Sequence, residues 1–107
     1  MLTYLEQETK EAIGERTIAF AKVKVRRDDD TGVYDDFQYF CLKPGYTDED
    51  ERKFWNDMRS YDYDNGYGEQ YVFGFIVFTD GTWLERMEYD GSEWWALRRA
   101  PEFTDYV

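Results

Sequence analysis

The first pattern along the chain is helical. Thr3 with Glu6 three residues on matches a capping box, and Leu5, Ala12 and Ile13 fall near one face before Gly14. The spacing predicts a short helix over Thr3 to Ile13, stopped by the glycine. From Thr17 to Val25 the period drops to two. Ala19, Ala21, Val23 and Val25 alternate with Phe20, Lys22 and Lys24, as in a half-buried strand. Val33 to Leu42 is rich in β-forming residues and predicts a partner strand. The intervening Asp28, Asp29, Asp30, Thr31 and Gly32 have the chemistry of a hairpin loop with an acidic tip.

Pro44 and Gly45 break that strand, and the pattern turns helical again. Thr47 with Asp50 forms a second cap, and Asp48, Glu49, Asp50 and Glu51 occupy a first turn, where a helix dipole favours anions. Phe54, Met58 and Tyr61, with Trp55 alongside, make the apolar stripe, and Arg59 sits near the carboxyl end. The stretch YDYDNGYG reads as a loop. Residues 71 to 78 then read as a central strand buried on both faces, with Gly74 admitting a close neighbour. Asp80-Gly81 and Asp90-Gly91 bracket Thr82 to Tyr89, whose Trp83, Met87 and Tyr89 share one face, and Ser92 to Arg99 closes a three-stranded meander. Pro101 ends it, and Glu102 to Val107 reads as a loosely ordered tail. The predicted fold is α+β, an antiparallel sheet of about five strands with two helices on one face, in the order α-β-β-α-β-β-β.

Composition narrows the picture. One domain spanning residues 1–107 is expected from 107 residues, and 21% aromatic content gives it more to bury than an acidic disordered tail has. No apolar run approaches the roughly 20 residues of a membrane span. The opening MLTYLEQETK lacks the basic-then-apolar order of a signal peptide, so a cytoplasmic location is expected. Charge is unevenly placed. Residues 28 to 69 carry thirteen acids against Lys43, Arg52, Lys53 and Arg59, which accounts for most of the net -11.

Several chemistries are disfavoured. With no histidine, the commonest general acid-base group near neutral pH is missing, and the one cysteine, Cys41, has no imidazole to activate it. Cys41 is expected to be a small packed residue. Asp62, Asp64, Asn65 and Gly66 resemble a calcium loop but are one residue out of register, and Phe73 stands where the final Glu would be. No catalytic residue, cofactor or metal is expected. Direct DNA binding is disfavoured because the net charge repels phosphate. The basic groups Lys22, Lys24, Arg26, Arg27, Arg98 and Arg99 are expected to pair with neighbouring acids. Trp94 and Trp95, as strand neighbours, should point to opposite faces, which argues against a carbohydrate or peptide groove lined by both.

Acids crowded on a small domain repel one another, so they call for a partner or a solvation role. Carboxylates on a rigid domain imitate phosphate rows and would suit a basic host protein or ribonucleoprotein, such as a nuclease. The candidate contact residues are Asp28, Asp29, Asp30, Asp35, Asp36, Asp48, Glu49, Asp50, Glu51, Asp57, Asp62 and Asp64. Tyr61, Tyr63 and Tyr67 add loop anchors, since exposed tyrosine is common at interfaces. In size, charge, acidic clusters and C-terminal meander the chain resembles the small acidic anti-CRISPR and anti-restriction DNA mimics of bacteriophages and mobile elements. The segment DGTWLERMEYDGSEWW, Asp80 to Trp95, is similar to small phage proteins. The resemblance carries no motif over residue by residue. It implies a non-catalytic inhibitor that blocks target binding by a host defence complex in the bacterial cytoplasm. The alternative reading is an acidic immunity or antitoxin protein that neutralises a basic nuclease toxin. An exposed strand edge would also offer a route to a homodimer.

Overall fold

Alternating apolar positions need a layer to bury against, and two amphipathic helices supply it. The computed structural model describes residues 2–27, 36–66 and 68–102. In chain order the elements are β1 (Leu2–Tyr4), α1 (Leu5–Ile13), β2 (Ile18–Arg26), β3 (Phe37–Leu42), α2 (Asp48–Arg59), β4 (Asp62–Asp64), β5 (Val72–Phe78), β6 (Trp83–Tyr89) and β7 (Ser92–Arg98). β3-β2-β5-β6-β7 form an antiparallel five-stranded sheet, with β5 at its centre as predicted, and β1 pairs with β4 as a separate ribbon. The fold is α+β.

One apolar cluster joins both helices to one face of the sheet. Leu5 and Ile13 of α1 and Phe54 and Met58 of α2 share it with Val23, Phe40, Val72, Ile76, Phe78, Leu84 and Trp95. Each such side chain taken fully from water contributes about 1.5–3 kcal/mol, so this layer is the main source of stability. Trp95 also donates its indole N–H to Thr9 Oγ1 at 3.0 Å, tying β7 to α1. The α2 cap is as predicted: Asp50 N–H donates to Thr47 Oγ1 at 3.1 Å, and Thr47 N–H donates to Asp50 Oδ2 at 3.0 Å.

The two Asp-Gly turns differ. Asp90 and Gly91 both have positive φ, 51° and 85°, giving the tight mirror-image turn suited to strand twist. At the other, only Gly81 is left-handed, and Phe78 N–H reaches across a longer loop to Thr82 O at 2.9 Å. Gly74 is required as expected, since a Cβ there would run into the Lys22 carbonyl of β2.

Five expectations need correction. The helix does not start at Thr3, which pairs with Tyr63 in the β1–β4 ribbon; α1 begins at Leu5 without a side-chain cap. The run after α2 is not all loop, because Asp62 to Asp64 is strand β4. β5 is buried on one face only: Val72, Ile76 and Phe78 are in the core, whereas Phe75 is 38% exposed on a face that neither described helix covers. Cys41, on that same outer face of β3, is exposed rather than packed. A register shift between Ile18 and Phe20 explains why Ile18 rather than Ala19 joins Ala21, Val23 and Val25 in the core. The predicted acidic hairpin tip and the chain beyond Glu102 lie outside the described residues.

Candidate functional site

α2 positions most of the predicted contact acids that are described. Asp48, Glu49 and Asp50 are exposed in its first turn and Glu51 is half-buried. Four carboxylates at a helix N-terminus are mutually repulsive but are offset by the dipole and by the capping bonds of Asp50. Asp48 and Glu51 also act on Tyr46, whose hydroxyl pKa is raised first by burial and then by these two charges; the hydroxyl donates to Ile18 O at 2.6 Å. Asp57 lies two turns further on, 3.6 Å from Lys53. Asp50 and Asp57, together with Lys43 and Lys53, border an open groove of about 510 Å³ between α2 and the edge strand β3, floored by Phe40, Leu42 and Phe54.

The other predicted residues are dispersed. Asp62 and Asp64 are exposed on β4, at the opposite end of α2 from Asp48. α2 itself, twelve residues at about 1.5 Å each, is roughly 18 Å long. Asp36 is half-buried and lies 3.8 Å from Arg27. Arg52, Lys53 and Arg59 interrupt the acids along α2. Asp28, Asp29, Asp30, Asp35 and Tyr67 lie outside the described residues. Tyr61 and Tyr63 are not exposed loop anchors. Tyr61 is half-buried with its hydroxyl donating to Arg26 O at 2.9 Å, and Tyr63 is buried. As a β4 residue, Tyr63 faces inward while Asp62 and Asp64 face out.

Tyr63 belongs to a buried polar network. Its hydroxyl donates to Glu8 Oε1 at 2.9 Å and accepts from Arg86 Nη2 at 2.6 Å. Glu93 accepts from Arg86 Nε and Nη2 at 3.0 and 2.8 Å and from the Val72 and Tyr71 N–H groups at 3.0 and 2.7 Å. β5 pairs with β6 only over Phe75 to Val77, so the Glu93 carboxylate takes two backbone donors that lie before that pairing begins. Arg86 Nη1 stands 3.2 Å from Glu8 Oε2, a charge contact without hydrogen-bond alignment. Burial disfavours the Arg86 charge, but Glu8, Tyr63 and Glu93 outweigh it and raise the Arg86 pKa. Burial raises the Tyr63 pKa strongly, with Arg86 opposing and Glu8 reinforcing.

This network holds the fold: four protein donors engage Glu93, three at Oε1 and one at Oε2. Period two gave the signal that finds it: Arg86 shares the inner face with Leu84, and Glu93 with Trp95. Among the described residues no three His, Cys, Asp or Glu side chains are grouped to hold a metal ion, and no helix is long and apolar enough to cross a membrane.

The outer face of the sheet is the other candidate surface, and the sequence reading did not assemble it. Strand register brings Lys22 beside Cys41 and Phe75, Lys24 beside Tyr39 and Phe73, and Arg26 beside Phe37. Lys24 Nζ stands 4.4 Å from the Phe37 ring and 5.3 Å from the Phe73 ring, and the Arg26 guanidinium lies 5.7 Å from both. Phe37 and Phe73 meet edge to face at 5.8 Å, as do Phe20 and Phe75 at 6.2 Å. Trp94 is 42% exposed opposite Met87, and Trp95 points inward, so the two tryptophans do face opposite ways. Arg98 pairs with Glu85 at 3.4 Å and Arg27 with Asp36, as expected. Lys22 and Lys24 do not pair: among the described residues no carboxylate lies within ion-pair distance of either. Compared with protein-family models, curated proteins and solved structures, the chain gives no match.

Proposed function

We propose that this protein is a non-catalytic inhibitor of a host nucleic-acid-handling defence complex, an anti-CRISPR or anti-restriction protein that occupies a basic surface by acidic mimicry. The observation that supports it is the helical side of the molecule. Four carboxylates open α2, and Asp50 and Asp57 border the groove along β3, while Lys22 and Lys24 are carried on the far face of the sheet. A basic partner approaching the helices meets the first-turn carboxylates of α2 and, at the groove, Asp50 and Asp57 interspersed with Lys43 and Lys53 above an apolar floor formed by Phe54 and Leu42. Long arginine or lysine side chains suit such a floor, because their stems are apolar and their heads charged. The field steers encounter and the groove provides contacts that outlast salt.

The test is capture from bacterial lysates containing assembled CRISPR complexes and restriction enzymes, at low and high salt, followed by a target-DNA binding assay on whatever is captured. The expected result is a defence nuclease that loses DNA binding in proportion to inhibitor added. Capture of a toxin nuclease alone would favour the immunity reading, and no nuclease at either salt would reject the proposal.

A further inference from the structure

From the outer face of the sheet we infer that the protein also binds single-stranded nucleic acid, with bases stacked on Tyr39 and Phe75 and phosphates held by Lys22 and Lys24. This goes beyond the inhibitor reading, which concerns the helical side, and does not depend on it.

Three observations converge. First, charge on this face runs against the rest of the molecule. In a chain of net charge -11, the outward positions of the five strands hold Lys22, Lys24, Arg26 and Arg98 against one described carboxylate, Glu85. Glu85 already faces Arg98. Lys22 and Lys24 are therefore cations without a described anionic partner, on a face where a phosphate would supply one.

Second, the rings are divided by role. Phe37 and Phe73 stand under Lys24 and Arg26, which fixes these cations across the face. Tyr39, 56% exposed, and Phe75 have no described cation over them; Tyr39 lies opposite Lys24 on β3 and Phe75 opposite Lys22 on β5. Exposed rings beside cations are the two components of sequence-tolerant single-strand binding, one for the base and one for the backbone.

Third, the shape suits a planar ligand. Lys22, Lys24, Tyr39, Phe73, Gly74 and Phe75 border a shallow concavity of about 230 Å³, below the roughly 300 Å³ at which sites for drug-sized ligands begin. A second copy of this chain is a poorer occupant, since a face-to-face dimer would bring two rows of cations together with only Glu85 among the described strand carboxylates of this face to offset them. A duplex is poorer too, because its bases are already stacked and the net charge opposes its denser phosphates.

The experiment is fluorescence anisotropy of a labelled oligothymidine of roughly ten nucleotides against the full chain over a salt series. Saturable binding is expected, weaker for a duplex of the same length. Tyr39→Ala and Phe75→Ala should each weaken it roughly five- to a hundredfold. Lys22→Ala and Lys24→Ala should each flatten the log-log salt slope by about 0.7. A control variant, Asp48→Lys with Glu49→Lys, should bind the oligonucleotide as well or better. Circular dichroism on every variant separates lost binding from lost fold.

Absence of binding at low salt, or binding that ignores all four outer-face substitutions, overturns the inference. So does concentration-dependent dimerisation abolished by Tyr39→Ala, which would make the face a self-interface. Failure here leaves nuclease capture intact, and failure of capture leaves oligonucleotide binding intact, so the two proposals fall separately.

Discussion

The inner and outer faces of the five-stranded sheet are made of alternate residues of the same segments, yet they obey opposite rules. On the inner face even the charged groups are enclosed: Arg86 and Glu93 have fully buried side chains and hold each other at 2.8 Å. On the outer face Lys22, Tyr39, Phe75 and Trp94 reach solvent. Apolar residues outside and ions inside invert the usual arrangement at both places. The inner inversion serves architecture, because Glu93 accepts the Tyr71 and Val72 N–H groups. The outer inversion does nothing for the core and is the kind of exposed apolar surface that marks an interaction site.

Substitutions should therefore separate the faces by stability. Glu93→Ala carries the largest expected effect. It strands the Arg86 charge and two backbone donors, and should cost roughly 3–5 kcal/mol in urea unfolding. Adding Arg86→Met should recover part of this by removing the unpaired charge, but not all, since the Tyr71 and Val72 donors stay unsatisfied. A loss on Glu93→Ala no larger than for a surface residue would break the comparison.

Tyr63→Phe comes next, removing bonds to Glu8 and Arg86, with an expected cost of about 1.5–3 kcal/mol. Its pH dependence gives a second readout. The folded Tyr63 pKa is raised above its ordinary value of 10.0, so the unfolded chain loses this proton first. The stabilisation is complete below that pH and declines as pH rises above it. Alkaline unfolding should be steeper for the native protein than for Tyr63→Phe. Tyr39→Ser on the outer face should change stability by no more than about 0.5 kcal/mol.

The smallest effect is expected at Asp80. Its pKa is lowered by hydrogen bonds from the Thr82 hydroxyl and N–H, with Arg16 adding a weaker pull. Its contribution is present above the ordinary carboxylate value and is lost as pH falls through the depressed one. Native protein and Asp80→Asn should thus converge in acid-unfolding titrations only toward the acid end.

The strands were legible because their periods were clear. Val23 and Val25, or Trp94 against Trp95, could be assigned to faces from alternation alone, and Thr47 with Asp50 marked α2. Three features were not legible. The β1–β4 ribbon is short, and its polar Asp62 and Asp64 resemble a turn until Thr3 is seen opposite Tyr63. Alternation puts Arg86 and Glu93 on the inner face, but their partners come from three other elements, α1, β4 and β5, and from Tyr71 just before β5, which no local pattern shows. The outer face was hidden by the sum of charges: a total of -11 conceals cations that only the β3-β2-β5 register places together.

For the candidate site the sequence identified the acids of α2, but it gave Tyr61 and Tyr63 the wrong surroundings. Their alternation with Asp62 reads equally well as a loop or as one strand with an inner and an outer side. Only the packing of Tyr63 against Arg86 decides between these.

The two sides of the molecule are proposed to have separate work, the helical side engaging a basic protein partner. The most direct measurement is parallel capture of nucleases by three forms: native, Asp48→Lys with Glu49→Lys and Asp57→Lys, and Lys22→Ala with Lys24→Ala. All three should fold by circular dichroism. The helix variant should lose the captured nuclease and the sheet variant should keep it. Capture that survives reversal of the α2 charges would contradict this separation.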